Sequence, residues 1–341
     1  MKLLVTIPEG VTRDEFLTEE TRALLEENFE VKYNDLGRNY TSEEMYAAAE
    51  DADVVITGWG TPTFIGGPIE KNKSIKLIAH TAGSVADLVD GKIYERGIRV
   101  VSGNKYFAES VAEGTVAYMM TALRRIPDDI RDMRSGILWK SADSRPTGGL
   151  LGRDVGIVGF GMISGYLMNM LKAFGAKIKV YSAYPIDRNY LDSVGAVQVP
   201  LSEVFGCSIV SVHSALSERT RGMIGKELLE LMPEGGIFIN TSRGAIVREA
   251  ELIEVLKKKK IFALLDVFEK EPPELDSPLR SLDNVYPIPH RAGPTNDRRP
   301  YIGKEVALDA IRFKRGEELT LEITPDYAKR MTRSISRIKT N

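Results

Sequence analysis

An arginine, a carboxylate and a histidine each fall just after a separate apolar run in the second half of the chain. Asn240 is followed by Thr241, Ser242, Arg243 and Gly244, Leu265 by Asp266 and the stretch Glu269-Lys270-Glu271-Pro272, and Ile288 by Pro289 and His290. Together these residue types fit the reduction of a 2-keto acid. That reaction needs a cation to grip the carboxylate and polarise the keto oxygen, an acid to protonate that oxygen, and a hydride donor. The guanidinium of Arg243 can make a planar two-pronged contact that lysine could not copy. His290 is the plausible proton carrier near neutral pH, and a carboxylate against its far nitrogen would keep it protonated until the carbonyl is reduced. On spacing alone, Glu269 and Glu271 are equal candidates for that carboxylate.

The hydride donor points to the segment from Asp154 to Ser182, which reads as strand, glycine turn, helix and strand. Val155, Ile157 and Val158 form a short buried-strand run that stops at Gly159-Phe160-Gly161-Met162-Ile163-Ser164, a near match to the dinucleotide fingerprint. A pyrophosphate must approach main-chain N–H groups at a helix N-terminus, and a side chain at Gly159 or Gly161 would block it. From Met162 to Phe174 apolar residues recur at helical spacing, Gly175 marks the helix end, and Lys177 to Tyr181 supplies the next strand. Ser164 stands where the third glycine is usual.

The elements that would position these residues alternate along the whole chain. β-rich runs at 3–7, 29–33, 54–57, 77–80 and 98–101 predict a first open parallel α/β sheet, and runs at 209–213, 237–240, 262–266 and 285–288 extend the second sheet begun at Val155. Such sheets bind ligands beyond the carboxyl ends of their strands. A helical pattern from Ser110 to about Arg125 links the two. The segment after Asp297 is too short for a domain, so the first domain is expected to be discontinuous: residues 1–103 with 296–341, and 104–295 for the second. The fold class is therefore α/β, with a flavodoxin-like doubly wound substrate domain and a Rossmann NAD(P)-binding domain, and a cleft that closes to exclude water.

Composition narrows the partners. Lys plus Arg number 46 against 48 for Asp plus Glu, so no global field favours nucleic acid or an anionic membrane. No apolar run reaches a membrane span, and Met1 to Pro8 reads as a strand closed by proline rather than a secretion signal. The one cysteine, Cys207, fits a reducing cytoplasm, and the three histidines, His80, His213 and His290, lack metal-ligand spacing, so no metal is expected. The basic run Lys257 to Lys260 and the basic residues from Lys329 onward read as solvated ends.

With these motifs in order, the sequence resembles the D-isomer-specific 2-hydroxyacid dehydrogenases, the family of phosphoglycerate, D-lactate and hydroxypyruvate/glyoxylate enzymes. The anchors are Val155 to Gly175, His213 to Leu216 through Thr220-Arg221-Gly222, Asn240 to Gly244, Leu265 to Val267 through Glu271-Pro272, and Asn284 to His290. The resemblance implies that Arg243, Glu271 and His290 are the catalytic trio, which selects Glu271 over Glu269. It implies a nicotinamide cofactor held by Gly159, Gly161, Met162, Ile163, Ser182, His213, Ala215, Thr220, Thr241, Ser242, Arg243, Asp266 and His290, with Asp266 and Thr241 to Arg243 at the carboxamide. It also implies a substrate-carboxylate loop at Thr81 to Val85, with the backbone N–H groups of Ser84 and Val85 as donors beside Gly83, and a homodimer built around the helix from Ser110 and the segment near Trp139. Small 2-keto acids such as glyoxylate and hydroxypyruvate are the expected substrates.

Three features depart from the family pattern. Ser182 replaces the aspartate that usually binds the adenosine ribose, followed by Asp187 and Arg188; NAD is the expected cofactor, with NADP as the alternative. Val85 replaces the second glycine of the carboxylate loop. Arg291 follows the histidine where an apolar residue is usual, and either faces the substrate, where it would favour a second anionic group, or turns outward or pairs with Asp297; Trp59, after the run at 54–57, forms a pocket wall or serves as a packing aromatic. Other readings on this fold are a phosphite or formate dehydrogenase, the latter opposed by Glu271 where formate enzymes have glutamine, and a nucleotide-sensing corepressor that turns over poorly.

Overall fold

The computed structural model describes residues 1–65, 72–136 and 146–333. By its internal contacts the chain forms two compact units: Met1–Phe107 with the returning segment from Pro294, and Ala108–Gly293.

The first unit carries five parallel strands, β1 (Lys2–Pro8), β2 (Glu30–Asn34), β3 (Val54–Thr57), β4 (Leu77–His80) and β5 (Arg99–Ser102), in the order β2-β1-β3-β4-β5. This is the flavodoxin-like order, which reverses direction between β1 and β3. β3 and β4 are buried throughout, as expected of strands covered on both faces. One covering layer comes from the chain's return: helix Arg299–Arg315 places Ile302, Val306, Ala307, Ala310 and Ile311 in the cluster that holds Leu3, Val5, Val54 and Leu77. Each such aliphatic side chain larger than alanine contributes roughly 1.5–3 kcal/mol on burial. The helix lies so close that a Cβ on Gly303 would fall 1.6 Å from the Phe16 carbonyl oxygen.

The second unit has seven parallel strands: β6 (Asp154–Val158), β7 (Lys177–Tyr181), β8 (Ala196–Gln198), β9 (Ile209–Val212), β10 (Ile237–Asn240), β11 (Phe262–Leu265) and β12 (Val285–Pro287). Their order, β12-β11-β10-β9-β6-β7-β8, is doubly wound about the junction of β6 and β9. Its core gathers Val155, Ile157, Ile209, Ile239 and Leu264 from the strands with Leu167, Met168 and Leu171 from helix Met162–Ala173. The α/β class read from the sequence therefore holds.

Two elements differ from expectation. β8 is an edge strand of three residues, too short to show a pattern. The long helix begins at Asn104, not Ser110, because the Ser102 hydroxyl accepts the Asn104 N–H at 3.2 Å and starts the first turn two residues upstream of it.

Candidate active site

The glycine turn lies where the second sheet reverses direction. Gly159 has φ +99°, and a Cβ there would sit 2.6 Å from the backbone nitrogen of Ser214, which follows β9. Only glycine lets the ends of β6 and β9 meet this closely. Ser164 is fully buried, and its hydroxyl donates to the Gly159 carbonyl at 2.7 Å, so serine ties the turn instead of straining it. Gly161 starts helix 162–173 without a side-chain cap, and the space its Cβ would occupy is open to 4 Å. The start of this helix thus offers an open approach to first-turn N–H groups such as those of Ile163 and Ser164, the requirement of a pyrophosphate. The Nδ1 of His213 is buried with no hydrogen-bond partner, beside this turn in sequence register. Glycines, helix end and orphan nitrogen fit a dinucleotide.

Around the turn, several predicted contacts are occupied by the chain itself. The Thr220 hydroxyl donates to the Ala215 carbonyl at 2.6 Å, shaping the loop after β9, and the Ser242 hydroxyl donates to the Ser214 carbonyl. At the end of β7 the Ser182 hydroxyl accepts the Tyr184 N–H at 3.1 Å, Asp187 caps the next helix through the Tyr190 N–H at 2.9 Å, and Arg188 pairs with Asp192 at 3.0 Å.

The arginine, carboxylate and histidine are each set by a strand end. Beyond β10, the Asn240 side chain accepts the Ser242 N–H and donates to the Arg243 carbonyl, both at 3.0 Å, folding the loop that carries the guanidinium. Gly244 presses on the neighbouring loop: a Cβ there would fall 1.9 Å from the Phe268 carbonyl carbon. Beyond β11, Glu271 accepts the Phe268 N–H through Oε1 at 3.2 Å and meets His290 Nδ1 through Oε2 at 2.9 Å. Of the two carboxylates that spacing left equal, it is Glu271 that meets His290; the Glu269 side chain is exposed and its backbone N–H donates to Glu249.

His290 adopts φ 51°, a left-handed conformation unusual for a non-glycine residue. Its N–H donates to the Asp266 carbonyl at 3.0 Å, while the Asp266 carboxylate accepts the N–H groups of Arg291 at 2.6 Å and Ala292 at 3.1 Å. Asp266 is buried and therefore fixes three consecutive residues of the histidine loop. The side chain of Arg291 is exposed.

The electrostatics separate the three histidines. The hydrogen bond to Glu271 raises the His290 pKa, with further help from the charges of Glu271 and Asp266, against burial and the charge of Arg243. For Glu271, burial pushes the carboxyl up, but His290, the Phe268 N–H and Arg243 together bring it below the usual range. Arg243 thus acts electrostatically on both members of the pair. Burial pushes His213 down to about 3 and His80 down to about 4, so both stay neutral.

In the first unit, the loop after β4 presents the N–H groups of Gly83, Ser84 and Val85 with no acceptor among the described residues. The Ser84 hydroxyl is taken by the Thr332 carbonyl at 2.6 Å, leaving main chain as the donor set. Phe107 lies against Gly83, and Trp59 stands edge-on to Phe107 and Phe16, at centroid distances of 6.0 and 5.3 Å, with the Arg299 guanidinium 5.4 Å from its ring. Trp139 lies outside the described residues.

Sequence reasoning did not single out Tyr118 or the contacts of Gly114. Both lie on the long helix, Gly114 against Ala292 of the histidine loop and Tyr118 on Asp266, which holds that loop, and a tyrosine in an apolar helix carries no sequence signal for this.

Residues 116–292 match the model of the D-isomer specific 2-hydroxyacid dehydrogenase, NAD binding domain. Over 322 residues the chain is 34% identical to a D-3-phosphoglycerate dehydrogenase of Methanocaldococcus jannaschii, covering 93% of this chain and 58% of that one. A glyoxylate reductase of Korarchaeum cryptofilum is 35% identical over 73% of this chain and 76% of its own. Among solved structures, a phosphoglycerate oxidoreductase of Rhizobium etli superposes with TM-score 0.77 at 26% identity, over 95% of this chain and 99% of the other. The chain belongs to the D-isomer specific 2-hydroxyacid dehydrogenase family, and its second unit is that family's NAD-binding domain. It spans 58% of the length of the Methanocaldococcus jannaschii D-3-phosphoglycerate dehydrogenase and 47% of that of a D-3-phosphoglycerate dehydrogenase of Archaeoglobus fulgidus.

Proposed function

We propose that this protein is an NAD(P)-dependent oxidoreductase that transfers a hydride between the nicotinamide cofactor and a small 2-keto acid or D-2-hydroxy acid. The observation that carries the reading is the His290–Glu271 pair at 2.9 Å, with Arg243 acting on both, at the strand ends of an NAD-binding sheet. The bound dihydronicotinamide supplies the hydride. Glu271 occupies Nδ1 of His290, so Nε2 is the nitrogen that gives a proton to the keto oxygen in reduction and takes it back in oxidation. Arg243 grips the substrate carboxylate and polarises the carbonyl, and the N–H groups of Gly83 to Val85 supply further carboxylate donors. Gly159, Gly161, Met162, Ile163, Ser182, His213, Ala215, Thr220 and Thr241 to Arg243 line the cofactor, with Asp266 beneath them.

The first unit is proposed as the substrate domain, with Trp59 as a wall and Arg291 as a selector for a second anionic group. NAD is the preferred cofactor, although no carboxylate at Ser182 repels the 2′-phosphate of NADP. Glyoxylate and hydroxypyruvate are proposed as the first substrates to test, a reading supported by the relatives named glyoxylate reductase and hydroxypyruvate reductase. A homodimer is supported by Ile126, Ile130 and Met133, which form one exposed apolar stripe on helix Ile126–Arg134. The buried free thiol of Cys207 suits the cytoplasm.

The test is a screen of small 2-keto acids with NADH and NADPH, followed by loss of the reduced cofactor. Turnover of at least one acid is expected, and cofactor binding without any turnover would favour a nucleotide-sensing role instead.

A further inference from the structure

We propose that Tyr118, with Gly114 one turn before it, is a positioning residue for the proton carrier, acting through Asp266 to hold His290 in its left-handed conformation. The proposal rests on His290 as the proton carrier and adds the element that aims it. Four residues apart, Gly114 and Tyr118 share one face of helix Asn104–Leu123. Gly114 brings the helix against the histidine loop: a Cβ there would fall 2.8 Å from the Ala292 carbonyl oxygen and 3.1 Å from its Cα. The Tyr118 hydroxyl reaches Asp266 Oδ1 at 2.9 Å. Burial and the Asp266 charge hold that hydroxyl well above its ordinary pKa, so it remains a donor. Between them, Thr115 gives its own proton to the Val111 carbonyl at 2.7 Å, which leaves its oxygen to accept from Thr241 at 3.3 Å. One helix face thus fixes both the arginine loop and the histidine loop.

The energetic argument concerns a buried carboxylate. Asp266 is 1% exposed and is compensated by three donors: the N–H groups of Arg291 and Ala292 and the Tyr118 hydroxyl. A left-handed backbone at a non-glycine residue costs roughly 1–2 kcal/mol, so His290 needs such a clamp to stay in place. The charged groups acting on His290 are Glu271, Arg243 and Asp266, and those acting on Tyr118 are Asp266 and Arg291. Without the hydroxyl, the charge of Asp266 is less compensated and falls more strongly on His290.

The experiment compares wild type with Tyr118→Phe, by NMR titration of the imidazoles and by steady-state kinetics. With His80 near 4 and His213 near 3, His290 is the imidazole that titrates above them. The His290 midpoint is expected to move upward in the variant, and kcat to fall roughly tenfold with KM for the keto acid little changed. Gly114→Ala, which must displace the Ala292 backbone, is expected to lower kcat further. Should Tyr118→Phe leave both the His290 midpoint and kcat at wild-type values, the proposal is overturned. The titration needs no turnover, so an inactive wild type would count against the proposed reaction and leave this test standing.

Discussion

His213 directly follows β9 and His290 lies just beyond β12, in the same parallel sheet. Each shares a ring nitrogen with a neighbour: His213 Nε2 meets the Ser211 hydroxyl at 2.8 Å, and His290 Nδ1 meets Glu271 at 2.9 Å. A neutral hydroxyl does nothing to offset the burial of His213, which is pushed down to about 3, whereas an adjacent carboxylate outweighs the partial burial of His290 and raises it. Position at a strand end therefore brings a histidine to the ligand side of the sheet, and its charged neighbours decide whether it can move a proton. A neutral ring of the His213 kind can line a cofactor; a ring with the Glu271 partner can protonate a carbonyl.

The comparison breaks most visibly if the two histidines are exchanged for residues that cannot carry a proton. His290→Gln is expected to lower kcat for keto-acid reduction by about 10³-fold at neutral pH, within the span typical of a lost general acid. His213→Gln is expected to act mainly on cofactor affinity, leaving the pH profile of the residual rate in place. Steady-state kinetics of both variants decide this; equal losses with equal pH profiles would erase the distinction.

Gly244→Ala comes next, because its methyl must displace the Phe268–Glu269 backbone that carries Glu271 toward His290. Overpacking of this kind costs about 1–3 kcal/mol, readable as a lower midpoint of chemical denaturation, and activity should fall with it. A smaller effect is expected from Arg291→Leu, which should shift selectivity from dicarboxylate toward monocarboxylate keto acids by several-fold. Unchanged selectivity would assign Arg291 to the solvent.

The smallest effect is on stability. The His290 pKa is raised, so its contribution is fully present below the ordinary value of 6.5 and is lost as pH rises through the raised one. The Glu271 pKa is lowered from 4.5, so its contribution is present above that value and is lost as pH falls through the lowered one. The pair stabilises most between those limits. Both side chains are more than a third exposed, so less than ~1 kcal/mol is expected, from denaturation of wild type and Glu271→Gln across pH.

The strands were legible where apolar runs were closed by polar or glycine residues, as at Val155 to Gly159 and Ile237 to Asn240. β8 was not, because three residues at a sheet edge show no period. The start of the long helix was hidden because Ser102 caps it from two residues before Asn104. Within the site, residue types and strand ends pointed to Arg243 and His290, spacing left Glu269 and Glu271 equal, and the family resemblance chose Glu271, the carboxylate that meets His290 Nδ1 at 2.9 Å. Tyr118 and Asp266 are 148 positions apart, a pairing that no local pattern encodes. The hydroxyls of Thr220, Ser182 and Ser242 are committed to the chain's own backbone, which residue type alone could not reveal.

The most direct test of the Glu271–His290 pair is the pH dependence of kcat/KM for 2-keto acid reduction by wild type and Glu271→Gln. In the proposed reaction, reduction needs protonated His290, so the rate is expected to fall as pH rises through its pKa; loss of the Glu271 charge should carry that descending limb to lower pH and reduce the rate above it. Superimposable profiles in the two proteins would contradict the assignment of His290 as a proton carrier set by Glu271.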